Sequence, residues 1–229
     1  MEDNKLLKDY TAQEKTAYLH AIASLATADR SASAEELEYL SALSEQSGLS
    51  SSEQEEILGA AKNSADHSLP DKLEILKSSE LRFSLIADLI HFAGTDQNYS
   101  EEEKSNVAEI AKFLNVNQEQ FAALDQFVDE TKSQELSPEQ VEQQNFLTGT
   151  GIEEKLKSVG INLGSLTKGL LGTLAPLILG KLLGGKRSSG MPGLGSGGLG
   201  SLISSITKGR SGSGGSGGLL GSILSQLTR

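Results

Sequence analysis

Two acidic stretches hold the side chains with the greatest capacity for chemistry. Asp29, Ser33, Glu35 and Glu36 recur as Asp96, Ser100, Glu102 and Glu103, each set reading Asp, three residues, Ser, one residue, Glu-Glu. Gathered on one face, Asp29, Glu35, Glu36, Asp96, Glu102 and Glu103 would form a hard oxygen donor set suited to Ca²⁺, Mg²⁺ or Mn²⁺. His91 follows Asp88 by one helical turn and precedes Asp96 by five residues, so Asp88 and His91 form a second tier near the same corner. The same residues have a structural reading. Glu36 and Glu103 stand three places after a Ser, where a carboxylate bonds the cap's backbone N–H, and Asp29 and Asp96 stand where Asx turns occur. An EF-hand is excluded, because neither stretch carries its Asp-x-Asp-x-Asp-Gly run. His20 and His67 lack carboxylate company at useful spacing and read as surface residues.

No catalytic or cofactor-binding arrangement accompanies these groups. The chain has no nucleophile elbow, no P-loop and no Gly-x-Gly-x-x-Gly after a strand, which points to a non-enzymatic protein.

The elements that position the acidic stretches are duplicated. Residues 19–58 slide over 86–125 without a gap, so that Leu19, Ile22, Leu40, Leu43, Leu49 and Ile57 fall on Ile86, Leu89, Val107, Ile110, Val116 and Leu124. Each half reads as a helix, an acidic turn and further helix, and the turns can meet only if the halves pack with pseudo-twofold symmetry. Capping signals punctuate the chain at Thr11/Glu14, Ser33/Glu36, Ser50/Glu53, Ser100/Glu103 and Asn117/Gln120. Gly48 stands where a left-handed helix end is wanted, and Pro70 in the first turn of a short helix. The segment Leu81 to Phe92 is the most apolar and is expected at the centre of the core, and Ser137-Pro138 opens a last helix to about Leu147. No run alternates β-branched and polar residues, so residues 1–147 read as an all-α domain of about seven or eight helices.

Charge divides the chain near residue 148. Residues 1–147 carry 11 Lys+Arg against 29 Asp+Glu, a net of −18, and residues 148–229 carry 9 against 2, a net of +7. All ten aromatics precede the division and 22 of 25 glycines follow it, which confines a core of large side chains to the first part. The acidic part would repel a phosphate backbone, so nucleic acid is not an expected partner. With no cysteine and no basic, apolar leader, a cytoplasmic location is expected, peripheral to the inner face of a membrane or within a larger assembly.

The duplicated turn, carried by Asp29, Ser33 and Glu36 and by Asp96, Ser100 and Glu103, resembles that of the tellurite-resistance TerB-like family over about residues 10–130. The family's turn has Gly after the Asp, where this chain has Arg30 and Gln97. The resemblance implies an all-helical domain with pseudo-twofold symmetry and acidic turns gathered on one face to bind divalent metal. It also implies links to stress response, chemical resistance and membrane-associated complexes, and, from the same fold in a J-domain co-chaperone, use as an interaction module.

Residues 148–229 read as a Gly/Ser/Leu-rich cationic tail with short amphipathic segments at about 152–185, 199–210 and 219–229. Lys168 and Lys181 leave 12 uncharged residues between them, short of the ~20 a membrane-spanning helix needs. Leu-Gly-Ser plus an aliphatic residue recurs at Leu163–Leu166, Leu199–Leu202 and Leu220–Ile223, separated by flexible linkers. Docking on a protein partner, self-assembly, attachment to an anionic membrane and disorder are the competing readings, and the opposite charges also allow the tail to fold back on the acidic domain. The whole reads as an adaptor tethered by its tail to an assembly or membrane, with a divalent-metal-binding stress protein as the alternative.

Overall fold

The computed structural model describes residues 6–26, 34–62, 68–93, 101–132 and 151–169. Among them lie nine helices and no strand: α1 (Ala12–Ala26), α2 (Ala34–Gln46), α3 (Ser51–Lys62), α4 (Leu69–Leu76), α5 (Leu81–Ala93), α6 (Glu101–Phe113), α7 (Gln118–Lys132), α8 (Ile152–Ser158) and α9 (Leu163–Gly169). The expected helix from Ser137 to Leu147 falls outside the described residues.

The helix starts follow from their caps. The Thr11 N–H and hydroxyl donate to Glu14 Oε2 at 2.9 and 2.7 Å, and the Glu14 N–H returns a bond to Thr11 Oγ1 at 3.2 Å. Ser50 and Glu53 repeat this reciprocal box at α3. Asn117 and Gln120 do so with amides at α7, at 3.0 and 2.9 Å. Pro70 lies in the first turn of α4, where its missing N–H has no intrahelical partner to lose.

The duplication is visible down to single hydrogen bonds. Shifting α2 by 67 residues reproduces the bounds of α6, and shifting the start of α3 reproduces that of α7. After α2, Leu49 N–H donates to the Ser44 carbonyl at 3.2 Å and Gly48 N–H to that of Glu45 at 2.9 Å. After α6, Val116 donates to Ala111 at 2.8 Å and Asn115 to Lys112 at 3.2 Å. Both are the closure of a left-handed helix end. The residue that takes it is Gly48 at φ 72° in one half and Asn115 at φ 58° in the other, the two residue types that tolerate this region.

The core runs through both halves. α1 packs on α3 and α4, α5 packs on α6 and α7, and α1 meets α5 between them. The most apolar helix is indeed central: Leu81, Leu85, Ile86 and Ala87 of α5 are fully enclosed, as are Tyr18, Leu19, Ala21 and Ala23 of α1.

Residues 151–169, which by composition open the tail, are part of this core. Ile152 and Leu156 of α8 are fully buried, and Ile161 and Leu166 nearly so. α8 packs on α7 and α9 on α5. The helical body of the described residues therefore extends past the charge division to Gly169.

Candidate docking surface

The surface that receives α8 and α9 is built from α5, α7 and the segment before α1. Two turns of α8 bury Ile152 and Leu156, spaced four residues apart on one face, while Glu153, Glu154, Lys155 and Lys157 face solvent. Polar contacts then fix its place. The Gln120 amide donates to the Val159 carbonyl at 3.0 Å, and Lys155 bonds the side chain of Gln126.

α9 is held by an apolar contact flanked by backbone recognition. The Leu166 side chain is buried, its carbonyl accepts from the Ser84 hydroxyl at 3.1 Å, and the Ser165 carbonyl accepts from the Tyr10 hydroxyl at 3.1 Å. Burial, with Glu80, Glu14 and Asp9 nearby, pushes the Tyr10 hydroxyl up to about 12, so it remains a donor across the physiological range. Thr167 is buried and donates back to the Leu163 carbonyl at 3.0 Å. Lys168 reaches Asp9 at 2.6 Å and holds its carboxyl below the ordinary value.

Gly169 completes the contact because nothing larger fits. A Cβ there would overlap Ser84 Oγ and lie 2.7 Å from Ser84 Cβ and 2.9 Å from Leu81 Cδ2. Helix α9 thus approaches α5 as closely as backbone allows. Composition conceals this, since a glycine-rich run gives the same signal whether it is a linker or a close-packed helix end.

The acidic corners stand differently. Asp29 and Asp96 lie outside the described residues. Glu35, Glu36, Glu102 and Glu103 occupy equivalent first-turn backbone positions of α2 and α6, with their side chains outside the description. Among the described residues, no three His, Cys, Asp or Glu side chains converge as a metal-holding group.

Asp88, expected beside the corner with His91, is enclosed between α5 and α1, where it accepts a hydrogen bond from the Tyr18 hydroxyl. Tyr39 of α2 is near enough for that carboxylate to contribute, after burial, to raising its phenol. His91, one turn on, is half-buried. Spacing along α5 gave no sign that a tyrosine 70 residues earlier would meet Asp88.

His20 is the clear correction. It is 3% exposed rather than on the surface, its Nε2 2.9 Å from Ser68 Oγ and its Nδ1 3.8 Å from Glu56 Oε1, and Lys72 pairs with the same Glu56 oxygen. The reason is that α1 is buried on nearly every side, so a single apolar stripe does not describe it. His67 lies outside the described residues.

Among the described residues no helix is long and apolar enough to cross a membrane. A family model described as "Tellurite resistance protein TerB" matches residues 15–126. In the comparisons with curated proteins and with solved structures, nothing matches. The match spans most of α1 to most of α7 and stops before α8 and α9, so the docked helices lie outside it. With the all-helical architecture and the duplicated helix ends, this establishes residues 15–126 as a TerB-like domain.

Proposed function

We propose that the protein is a non-enzymatic adaptor in which the TerB-like domain is the folded body and the Gly/Leu-rich C-terminal region tethers it to a protein assembly. The observation that carries this reading is the seating of Leu163–Gly169 on α5 through a buried leucine, two backbone carbonyls and a lysine. A Leu-Gly-Ser segment of that region is thereby recognised by a protein surface. Opposite net charge in the two regions adds long-range attraction.

Membrane tethering is the competing form of the same reading, since basic segments with an aliphatic side also bind anionic lipid. Flotation of the full chain with neutral and with anionic vesicles separates the two. Recovery in the protein fraction under both conditions, with association seen by light scattering, is expected. Co-flotation only with anionic vesicles, without association, would transfer the tether to the membrane.

A divalent-metal-binding stress protein is the second reading, favoured by the equivalent placement of Glu35/Glu36 and Glu102/Glu103 in α2 and α6. The all-oxygen donors suit Ca²⁺, Mg²⁺ or Mn²⁺. Calorimetric titration of the full chain with Ca²⁺ and Mn²⁺ decides it. Saturable binding lost in Asp29→Asn/Asp96→Asn establishes the metal reading, and absence of heat leaves the adaptor.

A further inference from the structure

The contacts of α9 define what the surface of α5 recognises, and the chain contains that pattern three times. In the seated copy, Leu163 is half-buried, Leu166 and Thr167 are buried, Lys168 pairs with Asp9 and Gly169 lies against Ser84. Aligned on these positions, Leu163-Gly164-Ser165-Leu166-Thr167-Lys168-Gly169 is repeated as Ile203-Ser204-Ser205-Ile206-Thr207-Lys208-Gly209. A third copy reads Leu224-Ser225-Gln226-Leu227-Thr228-Arg229. The positions that recur are the ones the surface reads: aliphatic, aliphatic three residues on, Thr, then a cation. The middle positions, where Ser165 meets the surface through its backbone carbonyl, vary.

Composition does not produce this recurrence. Four threonines follow Thr150, and three of them, Thr167, Thr207 and Thr228, stand between an aliphatic residue and a Lys or Arg. The linkers SSGMPGLGSGG and SGSGGSGG contain no Thr and no cation. The second and third copies also match each other over ten residues without a gap, Leu199–Lys208 against Leu220–Arg229.

We infer that the α9 seat, formed by Asp9, Tyr10, Leu81 and Ser84, is an acceptor for the Ile203–Gly209 segment of a second copy of this chain, so that molecules link head to tail. This rests on the adaptor reading and supplies its partner. Each chain has one such seat among its described residues, the segment seated in it, a second segment that repeats every one of these positions and a third that repeats all but the glycine. The seated segment follows α8 after four residues and so competes at high effective concentration, which keeps the isolated chain closed and makes linkage rise with protein concentration. A contact between unlike surfaces of identical chains closes into a ring where its rotation allows and otherwise extends into open assemblies. The seat's recognition is mainly apolar and backbone-directed, because the Lys168–Asp9 pair is half-exposed on both sides and surface pairs contribute little.

Light scattering of the full chain over a hundredfold range of concentration tests this. The weight-average mass is expected to rise with concentration in the wild type and to stay at that of one protomer in Ile206→Glu/Leu227→Glu. A labelled peptide of residues 199–210 supplies the second readout. It is expected to bind full-length Leu166→Glu, whose own segment is released, at least tenfold more tightly than wild type, and to lose that binding when it carries Ile206→Glu. Gly169→Val opens the same seat if Leu166→Glu does not fold. A constant mass in the wild type, or peptide binding indifferent to Ile206→Glu, overturns the inference. Assembly that persists in Ile206→Glu/Leu227→Glu overturns it while leaving the adaptor reading in place, whereas absence of both assembly and vesicle binding removes that reading itself.

Discussion

Gly169 is where one atom decides whether α9 stays docked, because an added Cβ meets both the Oγ and the Cβ of Ser84. Gly169→Ala is expected to lower stability by about 1–3 kcal/mol, the usual cost of overpacking, read as a reduced midpoint in urea. At the duplicated helix ends, Gly48→Ala should cost about 1 kcal/mol by forcing a Cβ into the left-handed region. Asn115→Gly should be neutral or stabilising, since Asn115 already holds φ 58°. Comparable losses for the two substitutions would contradict the equivalence of these positions. Within the core, the Tyr18 hydroxyl is the donor to enclosed Asp88. Tyr18→Phe is expected to cost about 1–3 kcal/mol because it withdraws a hydrogen bond from a buried polar group, and in an Asp88→Leu background the same change should cost much less.

At the scale of elements, the caps of α1 and α3 carry a pH dependence of fixed sign. Burial alone would raise the Glu14 carboxyl, but the Ser79 hydroxyl and the Thr11 N–H and hydroxyl together hold it below its ordinary value. The Ser50 hydroxyl, then its N–H, does the same for Glu53. A carboxyl depressed in the folded state stabilises above its unfolded pKa, and that stability is lost as pH falls through the folded one. Wild type should therefore melt higher than Glu14→Gln/Glu53→Gln at pH 7, with the gap narrowing below about pH 4.5; a gap unchanged at pH 3 would refute the assignment. These caps were legible because Ser/Thr-x-x-Glu is a local pattern set by backbone geometry. α8 was legible too, as the amphipathic piece beginning at Ile152. Its burial, and that of α9, was not: a helix of seven residues shows too few apolar positions to distinguish a docked face from a loose one. His20 and the Tyr18–Asp88 contact were hidden for another reason, that α1 and α5 are buried on several sides and long-range partners leave no trace in spacing.

Across the whole molecule, the TerB-like domain repeats its helix bounds over a shift of 67 residues, and α8 and α9 pack against its α7 and α5. Cutting the chain after residue 147 would uncover the surface against which Ile152, Leu156, Ile161 and Leu166 are buried. Such a fragment is expected to unfold at lower urea than the fragment 1–169, and equal midpoints would show α8 and α9 to be dispensable. The account as a whole depends on α9 being seated on α5 in solution. Amide hydrogen exchange of the full chain, read by mass spectrometry on peptides covering 163–169 and 81–93, measures that directly. Protection of the Leu166–Gly169 amides well above the rate of an unstructured chain, and lost together in Gly169→Val, is the expected result. Exchange of those amides at the unstructured rate, while α5 stays protected, would contradict it.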